Sequence, residues 1–162
     1  MRSRCLRGNP HRVITVSIDT QSGEPPPLPV NVVTSLVTAA LTENGTDTGR
    51  VLVVFTGDEH LRRLSHRFFG QDHYTDIIAF NLNDADEPLE GEIYISRERA
   101  LENSRLYHEH YSRELMRLVI HGSLHLSGCE DDTPEGQADM RALEDRFLAS
   151  APDLPDHERC IH

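Results

Sequence analysis

The chain reads as an α+β domain built around one mixed four-stranded sheet, and three observations predict it. Four short apolar runs have strand character, at residues 13–18, 51–55, 77–82 and 92–95. Helical apolar spacing fills the stretches between and after them. The length of 162 residues suits one domain, and a hydrophobic fraction of 37% is enough to give it a core without disulfides.

Taken in order, Val13, Ile14, Val16 and Ile18 open the fold as a strand, and a proline-rich connection runs from Glu24 to Pro29. From Val30 to Leu41, the residues Val33, Leu36, Val37, Ala40 and Leu41 recur at the spacing of one buried helical face. The run Asn44-Gly45-Thr46-Asp47-Thr48-Gly49 reads as a turn, and Val51 to Phe55 is long enough only for a buried strand. Asp58 is expected to cap a helix reaching Phe68, with Leu61, Leu64 and Phe68 on its inner side. Ile77–Leu82 and Glu92–Ile95 are two further strands, separated by the acidic loop Asn83 to Glu90. Helices are expected from Arg97 to Tyr107 and from Ser112 to Leu126. A last one starts at Thr133-Pro134, with proline at the first helical position, and ends near Ala149. Residues 13–150 are therefore expected to form a single domain, flanked by an arm at 1–12 and a polar tail at 151–162.

Composition narrows the function. No apolar run approaches the roughly 20 residues a membrane helix needs. The arm carries four arginines without the apolar segment of a signal peptide, so a cytoplasmic protein is expected. Cys5, Cys129 and Cys160 are odd in number and form no Cys-x-x-Cys pair, which argues against a disulfide framework or a four-thiolate zinc site. Acidic residues number 27 against 16 basic ones, all of them arginine. An acidic, lysine-free chain fits either a high-salt environment or an arginine-favouring genome. The net charge of −11 argues against a general nucleic-acid coat protein but leaves room for an enzyme with a local basic groove.

Chemistry concentrates in His121-Gly122-Ser123-Leu124-His125-Leu126-Ser127-Gly128-Cys129-Glu130-Asp131. Histidines four apart on a helix share a face, with Cβ atoms about 5–6 Å apart, and so can reach one metal ion. Gly128 suits the left-handed conformation that ends a helix and returns the chain, which brings Asp131 to the same ion as a third ligand. Asp132 competes with it for that place. Two imidazoles and a carboxylate leave a position open, as catalytic zinc sites do. Zinc peptidases carry their glutamate base directly after the first histidine. Here that residue is Gly122, so the usual peptidase mechanism is excluded and no general base is identified. The glycine is compatible with either close approach or simple helix packing.

These residues resemble the signature of the YbeY endoribonucleases, whose usual form is His-Gly-x-Leu-His-Leu-x-Gly-x-Asp-His. Thr75-Asp76-Ile77-Ile78-Ala79-Phe80 is similar to the family's Thr-Asp-Val-Leu-Ser-Phe block, and Gly91-Glu92-Ile93-Tyr94-Ile95 to its Gly-Asp-Ile-x-Ile strand. The resemblance implies a zincin-like fold and a cytoplasmic, zinc-dependent, single-strand-specific endoribonuclease. It also implies a role in maturing the 3′ end of small-subunit ribosomal RNA and in ribosome quality control. The implied partners are single-stranded RNA and the small ribosomal subunit, with no DNA specificity and no membrane. Two departures stand out. Asp131 occupies the place of the family's third histidine, which widens the metal choice to other divalent ions. Phe69 occupies the place of a family arginine. The alternatives are a metal-dependent hydrolase of another ester or amide, or a ribosome-associated binding protein with a structural metal.

Outside the motif, Arg62, Arg63, His66 and Arg67 form a basic cluster that suits either phosphate contact or a solvated helix face. His60, His73, His108 and His110 are expected to carry no chemistry and Cys129 to pack, while Thr75 and Asp76 suit either the cap of a turn or, as the family resemblance implies, a place near the site.

Overall fold

The computed structural model describes residues 13–155 apart from His73 and Ala85. The expected arm at 1–12 with Cys5, the expectation for His73, and the end of the tail at 156–162 with Cys160 lie outside the described residues.

Alternating burial along Ile14–Thr20 (β1) marks a strand with one face against the core, while Gly49–Thr56 (β2) buries Val51, Val53, Phe55 and Thr56, and Leu89–Ser96 (β4) buries Ile93, Ile95 and Ser96. Ile77–Asn81 (β3) completes a sheet of order β1-β2-β4-β3. β1 and β4 run parallel to β2, and β3 runs antiparallel to β4, pairing Ile77 with Ile95 and Phe80 with Glu92. The sheet is therefore mixed, with β3 at an edge.

Val30–Glu43 (α1) connects β1 to β2 and buries Val33, Leu36, Val37, Ala40 and Leu41, the face its spacing predicts. A short 3-10 turn at Gln21–Gly23 precedes it. Asp58–Phe69 (α2) follows β2, Arg97–Leu106 (α3) follows β4, and Tyr111–Leu126 (α4) and Pro134–Ala149 (α5) close the fold. The helix α4 is the hub, packed on α1, α3 and α5 and on strands β3 and β4. Twelve of its residues are buried, including Leu115, Val119, Ile120 and Leu124. The side chain of Thr133 accepts a hydrogen bond from the amide of Gly136 at 3.0 Å, and Pro134 follows it, so α5 starts where its sequence signal placed it.

Two local expectations at α2 are corrected. Asp58 is the first helical residue, not the cap. Gly57 precedes it, and the amide of Asp58 donates to the Glu98 carboxylate. The Asp58 carboxylate instead receives Ser96 Oγ at 2.6 Å and Arg99, tying α2 to the start of α3. Phe68 does not join Leu61 on the inner face. It is 55% exposed, and the small hydroxyl residue Ser65 is buried beside Leu61 in its stead. Beyond α5, Leu154 is partly buried against the core, and its carbonyl accepts from Ser112 Oγ.

Candidate metal centre

The site begins as a polar stripe on an otherwise apolar helix. Along α4, Glu114, Arg117, His121 and His125 follow one another at three- and four-residue steps, so they project from one side. Leu115, Met116 and Val119 hold the opposite side in the core. Gly122, next to the first histidine, lies directly over the sheet. A methyl group there would come within 2.7 Å of Ile93 Cγ2 and 2.9 Å of Ile77 Cδ1. Close approach of α4 to β3 and β4 is thus the reason for a glycine inside the helix.

After α4 the chain turns at Gly128, whose φ of 99° is left-handed. The return carries Asp131 to the histidine pair. His121 Nε2 and His125 Nε2 are 3.0 Å apart, Asp131 Oδ2 is 3.4 Å from His121 Nε2, and Asp131 Oδ1 is 3.5 Å from His125 Nε2. The two histidines meet different oxygens of the carboxylate, and one ligand atom from each of the three residues lies within 4.8 Å of the others, close enough to converge on one cation. The donor chemistry agrees. His121 Nδ1 lies 3.1 Å from a carboxylate oxygen of Glu144 and must donate its hydrogen there, which leaves a lone pair on Nε2 in the neutral ring. His125 Nε2 faces that lone pair, and the Asp131 carboxylate faces both rings, so the three side chains offer metal-ligating atoms to one point. Asp132, the competing acid, is exposed and outside this group.

Three residues that sequence reasoning did not single out complete the surroundings. Glu144, on α5, is 7% exposed and shared between His121 and Arg117, whose Nη1 is 3.4 Å from its other oxygen. Arg117 also reaches Asp145 at 3.1 Å. Glu114, 5% exposed, sits within 3.4 Å of Asn103 Nδ2, which also donates to Asp76. Burial pushes the Glu114 carboxyl up to about 7, with the charges of Asp76 and Glu144 adding to it against Asn103 and Arg117. At His121, burial favours the neutral ring, but the Glu144 hydrogen bond and the charges of Glu144, Asp131 and Asp76 outweigh it, so its pKa lies above the ordinary value. Glu114 and Arg117 were readable as helix-spaced neighbours of the histidines. Glu144 is 23 positions from His121 and required the packing of α5 on α4 to be found.

Two adjoining cavities meet at the cluster. One, of about 690 Å³, runs from Phe69 and Ser65 past Thr75 to His121, His125 and Asp131. The other, of about 780 Å³, lies on the side of Glu114, Arg117 and Glu144. Asp76 lines both, together with His121 and Asp131, and Thr75 lines the first, so the place beside the cluster is the one of the two readings of this pair that the structure shows. Cys129 is partly buried and packs against the core, although it also touches the first cavity. Of the basic cluster on α2, Arg62 is engaged by Asp72 at 2.7 Å and by Glu59, while Arg67 lies 5.3 Å above the ring of Phe68. His60 stacks on Tyr94.

A mixed sheet under a helix that carries a His-x-x-x-His pair, facing a carboxylate at the mouth of an open cleft, defines a zincin-like α+β domain. The comparisons with known proteins narrow that class. The family model of Endoribonuclease YbeY matches residues 27–151, and the chain belongs to that family. It is 39% identical over 104 residues to the Endoribonuclease YbeY of Chlorobium phaeobacteroides strain BS1, covering 64% of this chain and 75% of that one. It is 31% identical over 128 residues to that of Parabacteroides distasonis, covering 79% and 89%. The fold is similar to the solution structure of TM1509 from Thermotoga maritima, with a TM-score of 0.57 and 22% identity over 83% of this chain and 87% of that one.

Proposed function

We propose that the chain is a metal-dependent, single-strand-specific endoribonuclease that matures the 3′ end of small-subunit ribosomal RNA, with one zinc ion on His121, His125 and Asp131. Its place of action on this reading is the cytoplasm and its partner the small ribosomal subunit. Membership of the family supports the substrate class. The observation that carries the chemistry is the convergence of the three side chains, one ligand atom from each within 4.8 Å of the others, at the mouth of an open cleft.

When bound, the metal supplies Lewis acidity toward a phosphoryl oxygen and a lowered pKa for water. The protein does the rest. Glu144 fixes the tautomer and tilt of His121 by accepting its Nδ1 hydrogen, and Arg117 holds Glu144 in turn. Asp131 adds negative charge that a third histidine would not, which favours retention of a divalent ion and tempers its acidity. Three protein ligands facing open space fit catalysis better than a structural metal, which is normally closed by four.

Metal content of the purified wild type, His121→Ala and His125→Ala tests this assignment. Loss of metal from both variants is expected; full occupancy in both would exclude the shared site.

A further inference from the structure

We propose that Phe69 is a stacking platform for one nucleobase of the single-stranded RNA, set on the wall of the cleft that holds His121, His125 and Asp131. The proposal rests on the nuclease reading given above. Phe69 is the last residue of α2 and is 53% exposed, an unusual place for a large ring that has no sequence obstacle to being buried. It lines the same cavity as the three ligand residues. One face is already supported: Phe80 of β3 lies parallel to it, with ring centroids 5.7 Å apart and planes 3° apart. Phe80 is itself braced edge-on by Phe68 at 5.1 Å and by Tyr94 at 6.0 Å. The ring is thus held on one side and open on the other, the form in which aromatic side chains receive bases of single strands.

Charge favours a nucleic acid on this patch. The guanidinium of Arg67 covers the neighbouring Phe68 ring and forms no ion pair among the described residues, so a cation stands beside the platform to meet a phosphate. Stacking also answers the problem set by the composition. A chain of net charge −11 holds a polyanion poorly through long-range attraction. A base on an aromatic ring contributes affinity that does not depend on counterion release. An unpaired base is required, since a paired one has no free face to offer, and this matches a preference for single strands.

The test uses the metal-loaded full chain and short RNAs carrying 2-aminopurine at successive positions, read by stopped flow before cleavage proceeds. The chain has no tryptophan to interfere. Quenching is expected at one or two adjacent positions. An abasic residue there should weaken binding about 5- to 150-fold, the equivalent of one base stack. Phe69→Ala and Phe69→Leu should lose both the quenching and this discrimination, and Phe69→Tyr should keep both. The Leu variant separates stacking from apolar contact. The discrimination should hold between about 0.1 and 1 M salt, in whichever direction the total affinity moves. Quenching and discrimination that persist in Phe69→Ala would overturn the platform and leave the nuclease reading standing. The same persistence with a change in sedimentation would assign the patch to self-association. A metal-loaded wild type that binds none of the RNAs would remove the nuclease reading and the platform together.

Discussion

Gly122→Ala places one methyl group where α4 meets the sheet. Its Cβ would lie 2.7 Å from Ile93 Cγ2 and 2.9 Å from Ile77 Cδ1. The Ile77 atom ends a flexible arm and can swing. The Ile93 atom is fixed at the branch of a fully buried strand residue, so relief there needs movement of the backbone or an altered rotamer. Alanine in a helix gains about 1 kcal/mol over glycine, whereas overpacking a core costs about 1–3 kcal/mol. The rigid contact decides the sign, and a net loss of about 1 kcal/mol is expected, or roughly 2–4 °C in Tm for a protein near this size. Urea titration with unchanged m-value measures it. Ile93→Ala removes the Cγ2 contact, so the double variant should lose less than the sum of the singles by at least about 0.5 kcal/mol. A Gly122→Ala protein more stable than wild type by about 1 kcal/mol would refute the close approach.

Three further outcomes follow from the site. Glu144→Gln keeps the shape but not the anion that orients His121, and should lower metal affinity about 10–100-fold in competition with a chelating dye; unchanged affinity would show that Glu144 only packs. Glu114 holds its proton up to about pH 7 in the folded chain, against 4.5 as its ordinary value, so its contribution to stability is full below the lower value and is lost as pH rises through the upper one. Glu114→Gln should therefore be more stable than wild type at pH 8, by up to about 3 kcal/mol, and parallel pH–stability curves for the two proteins would contradict this. If long-range repulsion by the acidic chain limits RNA capture, the cleavage rate should rise with potassium chloride from about 0.05 M before it falls toward 2 M; a fall from the lowest salt onward would remove that limitation.

Much of this architecture is legible in local pattern. The four strands and five helices follow from apolar period and from start and stop signals such as Thr133-Pro134 and Gly128, because those signals act within a turn or two of the chain. The convergence of His121, His125 and Asp131 is legible for the same reason: eleven residues of helix and turn contain all of it. What local pattern does not carry is set by tertiary packing. Asp58 looks like a cap, yet Ser96 and Arg99 draw its carboxylate toward α3. Phe68 sits at helical spacing from Leu61, but the turn beginning at Gly70 ends α2 at the cleft rim, where the ring meets Phe80 instead of the core. Glu144 reaches His121 only because α5 folds back on α4.

On the proposed reading, cleavage of single-stranded RNA requires a metal held by His121, His125 and Asp131. Zinc titrated into chelator-stripped protein, with the initial cleavage rate of a short single-stranded RNA followed at each addition, tests it most directly. The rate should be absent without metal and should level off once a single zinc ion is bound per chain. Cleavage by the stripped protein at the rate of the loaded one would contradict it.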